Sequence, residues 1–555
     1  MADDINALAD EYFEFQSRVG PTGAHMRGDY RYIDRFEDLS RDAEDEEIAV
    51  RRSFLVRAAA VHPGDLHGDD VTTREALLFD AETAADLAET RQAELGVDPT
   101  AGLQAMLPVV VPQMTVDTPE HADLMVDKFR AIATAYDQLT DRFREGVASG
   151  RTPAEFAISK TIAQLDAVVD ASVEDDPLLD VQVPSDFDAQ AAAAWKSRLA
   201  EAVAKEIRPA MRRQRDAIRD EVAPSARPDD RAGVMWLPDG EVLYSRAIHR
   251  YTTLPMQAGE IHEVGRQQIA RLGDEYRILG AEVLGTSDLS AIYRALREDP
   301  DLHHTDGAEV VTASETAMAT ARAAMGDWFG RLPQTDCIVQ ETKSGPIAFY
   351  FPPALDGSRP GVFFMNTADP TSWGRFEIES TSFHEGIPGH HLQIALAQEL
   401  GDQVPSFRQH AYLAAFTEGW GLYTERLADE MGLYSSPLAR LGMLAADSMR
   451  ACRLVVDTGM HGLGWSRQDA INYMMENSPI SLHTITEEVD RYLVMPGQAL
   501  SYMIGRLEID RLRAEAETKL GDRFDIKGFH DTVIGSASIP LESLDRLVQE
   551  WTARQ

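Results

Sequence analysis

The stretch Phe383-His384-Glu385-Gly386-Ile387-Pro388-Gly389-His390-His391-Leu392-Gln393 decides how this chain is organised. It places a His-Glu pair ahead of a second histidine, within a segment of helical character. Zinc hydrolases bind the metal through two neutral imidazoles and use a nearby carboxylate to take a proton from the zinc-bound water. The familiar pattern is His-Glu-x-x-His, in which the histidines lie four residues apart on one helical face. Here the fourth position after His384 is Pro388, and the next histidine, His390, lies six residues on.

A regular helix could not bring these two histidines together. A six-residue step rotates by roughly 600°, which leaves the second side chain about 120° away from the first. Pro388, however, has no N–H for the carbonyl group of His384 and clashes with it, and Gly389 can adopt backbone angles that other residues avoid. We therefore predict a kink or bulge that absorbs two residues and returns His390 to the face of His384, with His391 directed elsewhere. The alternative is an ordinary kinked helix with core or surface histidines.

Composition narrows the class of protein. The 555 residues are 44% hydrophobic and 26% charged, which is typical of a globular enzyme. Acidic residues outnumber basic ones by 92 to 53, for a formal charge of −39, so nucleic acids and anionic membrane surfaces are unsuitable partners. Two cysteines, a beginning without a secretory signal and the lack of a long apolar run predict a cytoplasmic protein.

Helical periodicity dominates the chain, so we predict a mainly α, multi-helix fold with a small β-sheet. The clearest strand signals are residues 338–351 and 361–367, and a hairpin is predicted at 234–244. The sheet either pairs with an extended substrate or only packs. We expect an N-terminal helical scaffold (1–230) and a catalytic part (231–555), within one continuous globular unit. Helices are predicted at 377–400, 406–431, 437–463, 467–477, 486–519 and 526–553.

Glu418 is the candidate for the third metal ligand. It lies in an otherwise apolar stretch, where a buried carboxylate needs a cation as its partner. Gly419 and Gly421 beside it would allow a neighbouring helix to approach closely. Glu425, two turns further along, is suitably spaced to accept a hydrogen bond from a ligand histidine. The alternative for Glu418 is a buried ion pair with an arginine.

Two further segments carry polar side chains at helical spacing. In the first, Arg450, Arg453, Asp457 and His461 form a stripe, and the last two, four residues apart, can form a hydrogen bond. A histidinium at position 461 would stabilise a tetrahedral oxyanion; the alternative is a purely structural Asp–His pair.

The second segment surrounds Pro496-Gly497, a further break in a helical pattern. Beyond it, Gln498, Tyr502 and Arg506 share one face. The Tyr502 hydroxyl could donate to the oxyanion, and Arg506 or Arg491 could hold a substrate carboxylate through two hydrogen bonds. The alternative for the tyrosine is an ordinary core position.

With these residues in hand, the chain resembles the DUF885 family of bacterial proteins, grouped with the zincin-type metallopeptidases. The resemblance covers essentially the whole chain and is strongest after residue 230. It implies a zincin-like helical fold with a deep substrate channel, and Gly389-His390-x-Leu392 looks like the Gly-His-x-Leu of related peptidases, which favours His390 over His391 as the ligand. The shared motifs are Tyr251-Thr252-Thr253, Asp356-Gly357-Ser358-Arg359-Pro360-Gly361, residues 384–393, Glu418-Gly419-Trp420 with Leu422, Tyr423 and Glu425, Asp457-Thr458-Gly459 with His461, Gly464-Trp465-Ser466, and Pro496-Gly497-Gln498-Ala499 with Tyr502 and Gly505.

The resulting hypothesis is a zinc-dependent hydrolase of short peptides or peptide-like amides. The metal ligands are His384, His390 and Glu418; His/Glu ligation would also accept Co or Mn. Glu385 takes the proton from the zinc-bound water. The other predicted roles are oxyanion stabilisation by Tyr502 and His461, substrate binding by Arg491, Arg506 and Gln498, and support of the ligands by Glu425, Asp457 and His391.

Two alternatives stay open. One keeps the metal and changes the substrate to a non-peptide amide or ester, and the other is a non-catalytic helical binding protein. The sequence also leaves open a homodimer and the choice between endo- and exo-action. A second His-Glu pair, His262-Glu263, imitates the motif but has Arg266 at the fifth position, so we expect no metal there.

Overall fold

The computed structural model describes residues 4–343, 345–354 and 359–555. The motif residues Asp356, Gly357 and Ser358 lie outside the described residues. The predicted mainly helical fold with one small sheet is confirmed. The deep channel stays a prediction.

The helices and strands follow one another along the chain. The first half contains α1 (Ile5–Val19), α2 (Pro21–Met26), α3 (Arg41–Ala60), α4 (Asp69–Glu89), α5 (Leu103–Val110), α6 (Pro119–Ser149), α7 (Glu155–Asp170), α8 (Ala189–Ala202), α9 (Arg208–Ala217), α10 (Gly240–Thr252) and α11 (Ala258–Val283). The second half contains α12 (Leu289–Glu298), α13 (Gly307–Trp328), β1 (Cys337–Thr342), β2 (Ala348–Phe351), β3 (Gly361–Asn366), α14 (Ile378–Glu385), α15 (His390–Gln398), α16 (Ser406–Gln409), α17 (Ala414–Glu430), α18 (Pro437–Gly462), α19 (Arg467–Asn477), α20 (Leu482–Val494), α21 (Ser501–Leu520), α22 (Ile526–Ile534) and α23 (Leu541–Arg554).

The chain divides into two compact units. The first comprises Met1–Ala9, Val61–Asp80 and Tyr244–Gln555, and the second comprises Asp10–Ala60 and Ala81–Leu243. The second unit is built around the long helix α6, whose apolar stripe is buried against the helical stretch of α8 and α9. All the candidate site residues belong to the first unit.

The sheet of the first unit has the strand order β1-β3-β2, with β1 parallel and β2 antiparallel to β3. On β3, Gly361, Phe363 and Met365 share one face and are buried, as the two-residue period of a strand requires. That face packs into the same core as α13, α14 and α17.

The predicted hairpin at 234–244 is wrong. Val234–Trp236 is a 3-10 turn, and α10 begins at Gly240. A Pro-Asp-Gly sequence can start a helix as well as turn a hairpin, and here the following apolar residues Leu243, Tyr244 and Ala247 are buried at helical spacing. A Cβ at position 240 would lie 1.9 Å from the carbonyl oxygen of Val234, so this close approach requires glycine.

Three of the predicted long helices are interrupted. The helix predicted at 377–400 ends at Glu385 and restarts at His390, and the one predicted at 406–431 is split by residues 410–413. The third break lies between α20 and α21, around Pro496-Gly497. His390 follows the first break, Tyr412 lies in the second and Tyr502 follows the third.

Candidate metal centre

The break between α14 and α15 is held by specific contacts. The backbone N–H of His391 donates to the carbonyl oxygen of Gly386 at 3.0 Å, and the indole N–H of buried Trp420 donates to the carbonyl oxygen of Pro388, also at 3.0 Å. A Cβ at Gly389 would lie only 1.9 Å from the carbonyl oxygen of His384. Only glycine therefore lets the chain fold back over the end of α14.

The consequence is that His384 and His390 face each other and Glu418. Their ring centroids are 4.7 Å apart and the rings are nearly perpendicular. The Nε2 atom of each lies 3.5 Å from the same atom, Oε2 of Glu418. The three ligand atoms lie within 4.8 Å of one another, and all three residues are buried. Ligand atoms about 2.1 Å from a tetrahedral zinc ion are about 3.4 Å apart, so this donor set fits zinc.

Glu425 orients the first of these histidines. Its Oε1 atom lies 2.8 Å from Nδ1 of His384, and both side chains are almost fully buried. A carboxylate at Nδ1 keeps the proton on that nitrogen, which leaves Nε2 with the lone pair that a metal requires. Gly421 makes room for the ring, because a Cβ there would lie 2.7 Å from Cε1 of His384.

The electrostatics of the centre favour a positive charge among these groups. Burial lowers the pKa of His384, but the hydrogen bonds to Glu418 and Glu425 outweigh burial and raise the pKa to about 9. Burial likewise raises the pKa of Glu418, but the two imidazoles hold it well below its usual range. The ionised carboxylate of Glu418, placed between two imidazoles, would balance part of the charge of a bound divalent cation.

Glu385 and Tyr502 border the centre. Glu385 directly follows the first ligand and is half-buried, and its charge acts on both His384 and Tyr412. The ring of Tyr502 is roughly parallel to that of His384, with 6.5 Å between centroids. Burial and the charge of Glu418 raise the pKa of Tyr502, so its hydroxyl group stays protonated and available as a donor.

Tyr412 is a site residue that the sequence did not reveal. Its hydroxyl group donates to Oε1 of Glu418 at 2.6 Å, whereas Oε2 faces the imidazoles. It lies in the segment between α16 and α17, and 56% of its surface is exposed. The signal was hidden by the predicted helix 406–431, because a tyrosine six residues before Glu418 would not face it on a regular helix.

Asp457 and His461, which are predicted to pair with each other, form hydrogen bonds with different groups. Asp457 accepts hydrogen bonds from the hydroxyl group of Tyr244 at 2.6 Å and from the backbone N–H of Gly497 at 3.2 Å. Nε2 of His461 lies 3.1 Å from the carbonyl oxygen of Tyr492. These contacts connect α18 to α10, to α20 and to the turn after α20. The oxyanion role of His461 stays a prediction.

His391 points away from the three ligands, as expected. Its Nδ1 atom forms a hydrogen bond with the hydroxyl group of Tyr350, and its Nε2 atom lies 2.9 Å from the carbonyl oxygen of Thr335. Burial lowers the pKa of His391 to about 4. A neutral imidazole therefore connects α15 to the sheet, and it supports the centre through the position of the helix.

The predicted substrate-binding residues form internal contacts. Arg491 donates to the side-chain oxygen of Gln498 at 2.6 Å and to Glu488 at 2.9 Å. Arg506 donates to Asp447 at 2.7 Å, and both side chains are fully buried. Because breaking a buried ion pair is costly, this geometry argues against substrate binding by Arg506.

The fold and this centre define a mainly helical protein with a buried two-histidine, one-glutamate site in its first unit. A family model described as "Bacterial protein of unknown function (DUF885)" matches residues 21–548. The chain belongs to this family.

Two solved structures are similar over the whole chain. One, described as the putative lipoprotein from Colwellia psychrerythraea, has a TM-score of 0.91 and 24% sequence identity and covers 99% of each chain. The other, a putative lipoprotein of unknown function from Shewanella oneidensis, has a TM-score of 0.76 and 17% identity and covers 99% of this chain and 100% of that one. These likenesses show the fold. No curated protein matches the chain. Within the described residues no helix combines the length and the apolar composition needed to cross a bilayer.

Proposed function

We propose that this protein is a zinc-dependent hydrolase that cleaves short peptides or peptide-like amides. One observation carries the proposal. The Nε2 atoms of His384 and His390 lie at the same 3.5 Å distance from one carboxylate oxygen of Glu418, which is the spacing of a tetrahedral zinc site. A bound zinc ion would supply Lewis acidity and lower the pKa of water at the site.

The remaining chemistry belongs to side chains of the protein. Glu385, which follows the first ligand and is half-buried, takes a proton from the attacking water and passes it to the leaving amine. The protonated hydroxyl group of Tyr502 donates to the oxyanion that forms when water adds to the carbonyl carbon. Glu425 keeps His384 in the tautomer that ligation needs.

The test combines metal analysis with one substitution. The purified protein should contain about one zinc ion per chain after zinc loading and should hydrolyse members of a di- and tripeptide panel, and a chelator should abolish this activity. Glu385→Gln should keep the zinc and lower turnover by about 10²–10⁴-fold, because it removes only the general base. The matched control is Glu263→Gln, in the imitation motif on α11, where His262 contacts Thr458. Full turnover in Glu385→Gln, or a protein that retains no metal, would refute the proposal.

The compartment is a separate part of the proposal. The sequence favours the cytoplasm, whereas both solved relatives are described as putative lipoproteins. Fractionation of the native host, followed by detection of the protein in the cytoplasmic or the membrane fraction, distinguishes the two locations.

A further inference from the structure

An arginine cluster lies next to the proposed zinc site. Arg450, Arg453 and Arg491 surround Tyr492 and Tyr502, with guanidinium carbons 4.4–5.8 Å from the tyrosine ring centroids. Among the described residues the ion-pair partner of this cluster is a single acid, Glu488, which accepts from Arg453 at 2.7 Å and from Arg491 at 2.9 Å. Three guanidinium groups thus have a single carboxylate among them as ion-pair partner in the described part of a chain whose formal charge is −39.

Two of these arginines keep unused donors. Arg453 is only 5% exposed, and one of its terminal nitrogens, Nη1, has no hydrogen-bond partner among the described residues. Among the same residues the Nε atom of Arg450 is also buried without a partner, and its Nη1 atom makes only a 3.4 Å contact with the carbonyl oxygen of Ala446 on its own helix. In the described part of the chain, no acid lies within 4 Å of Arg450; Glu377 feels its charge from further away. Buried donors of this kind are costly unless something accepts from them.

Tyr502 connects this cluster to the metal centre. The guanidinium carbon of Arg453 lies 4.4 Å from the centroid of the Tyr502 ring, and the His384 ring lies 6.5 Å from the same centroid. The guanidinium carbon of Arg453 and the centroid of the His384 ring are therefore no farther apart than the sum of these two distances. Since an extended residue spans about 3.3–3.6 Å, this limit corresponds to roughly three residues of substrate.

We infer that Arg450 and Arg453 bind the free C-terminal carboxylate of a short peptide substrate. A carboxylate accepts from both guanidinium groups in the planar geometry that arginine favours, and it would use the donors that lack partners. The inference rests on the proposed hydrolase function only for the position of the cleaved bond, which would lie within about three residues of the C-terminus. The enzyme would then remove single residues or very short fragments from the C-terminal end.

Binding and cleavage test this inference separately. The probes are N-acetyl-Ala-Phe, its C-terminal amide, and N-acetyl-Ala-Glu-amide, in which the carboxylate is on a side chain. Binding to full-length Glu385→Gln protein is measured by calorimetry with and without zinc. The free acid should bind at least tenfold more tightly than either amide, because a charge-assisted hydrogen bond contributes about 1.5–3 kcal/mol. The wild-type protein should show the same ratio in kcat/KM.

Arg450→Gln should reduce this preference, by lowering the affinity for the free acid and leaving the affinity for the amides unchanged, while Arg453 still contacts the carboxylate. The matched control is Arg440→Gln on the same helix, where the arginine pairs with Asp429 away from the cluster. Arg453→Lys, which keeps the charge that Glu488 requires, should weaken the preference without unfolding the protein. Thermal melts of all three variants check the fold.

The outcomes separate the two proposals. Equal affinity for acid and amide when both arginines are present, or a preference that Arg450→Gln leaves undiminished, would overturn the carboxylate site while zinc-dependent hydrolysis stands. A stronger response to the glutamate side chain than to the free C-terminus would overturn the C-terminal assignment. Acid selectivity in a protein that neither binds zinc nor hydrolyses peptides would instead refute the hydrolase function and leave the carboxylate site intact.

Discussion

Nδ1 of His384 and Oε1 of Glu425 are 2.8 Å apart, and both side chains are almost completely shielded from solvent. One histidine thus has a carboxylate near each ring nitrogen: Glu425 at Nδ1 and Glu418 at Nε2. The first contact determines which nitrogen carries the proton, and the second determines where a cation would be bound. This division of roles makes Glu425 important for metal affinity although it is not itself a proposed ligand.

We expect Glu425→Ala to weaken zinc binding by about 10–100-fold, because His384 loses the acceptor that fixes its tautomer and its orientation. Competition with a chromophoric chelator measures the change. Glu430→Ala is the matched control, since Glu430 lies on the same helix and pairs on the surface with Arg513. Equal zinc affinity in the two variants would show that the contact between Glu425 and His384 has no role in ligation.

Gly421→Ala should lower zinc affinity by tenfold or more. The added Cβ would lie 2.7 Å from Cε1 of His384, and that ring cannot withdraw without losing its contact with Glu425. Gly326→Ala provides the contrast, because a Cβ added to this helical glycine would have no neighbouring atom within 4 Å. It should raise the free energy of unfolding by about 0.5–1 kcal/mol and leave zinc binding unchanged. Chemical denaturation and zinc titration of both variants measure these effects.

The break at Pro388 and the convergence at Glu418 show what local chemistry can predict. A proline without an N–H at the position where a helix needs a donor, followed by glycine, predicts an interruption whatever the rest of the fold. The two extra residues between the histidines must then lie in this interruption. The small residues beside Glu418 likewise predict the close approach of a neighbouring helix. Gly419 does contact Gly505 of α21: a Cβ added at Gly419 would lie 2.5 Å from the backbone carbonyl carbon of Gly505.

Tyr412 and the arginine cluster show why other parts could not be predicted. Gln409, at the end of α16, donates to the carbonyl oxygens of Gly401 and Val404, contacts that no periodicity reveals. Helical spacing placed several arginines near the site. Helical spacing does not show which of these arginines form an ion pair with an acid. Arg506 pairs with Asp447 in the interior. Arg450 has no acid within ion-pair distance in the part of the chain that the structure describes.

Tyr412→Phe should weaken zinc binding about fivefold. The substitution removes the donor to Oε1 of Glu418, and the loss is moderate because this contact is only partly buried, so water can replace the donor. The structure offers Tyr473→Phe as a control, since this tyrosine packs on Trp465 away from the centre. Zinc titration of the two variants gives the comparison. An unchanged affinity in Tyr412→Phe would mean that Glu418 is positioned without its help.

Asp457→Asn should change how stability depends on pH. Burial raises the pKa of Asp457 to about 7, even though the hydroxyl group of Tyr244, the backbone N–H of Gly497 and the charge of Arg491 all favour its ionised form. In the unfolded chain the same carboxyl group titrates near its ordinary value of about 3.9. Between these two values the folded protein holds a proton that the unfolded chain has lost. The wild-type protein therefore loses stability as pH rises from about 4 to 7, and ionising this group costs roughly 4 kcal/mol at most.

Asparagine keeps the acceptor oxygen for Tyr244 and does not ionise, so the variant escapes that loss. We expect the free energy of unfolding of Asp457→Asn, relative to wild type, to rise as pH increases from 4 to 7 and then to level off. Urea denaturation at a series of pH values measures the difference directly, and the other carboxyl groups cancel because both proteins carry them. If the difference stays flat across this range, Asp457 titrates like an ordinary surface aspartate. Its carboxyl group would then ionise in the folded protein at no cost in stability.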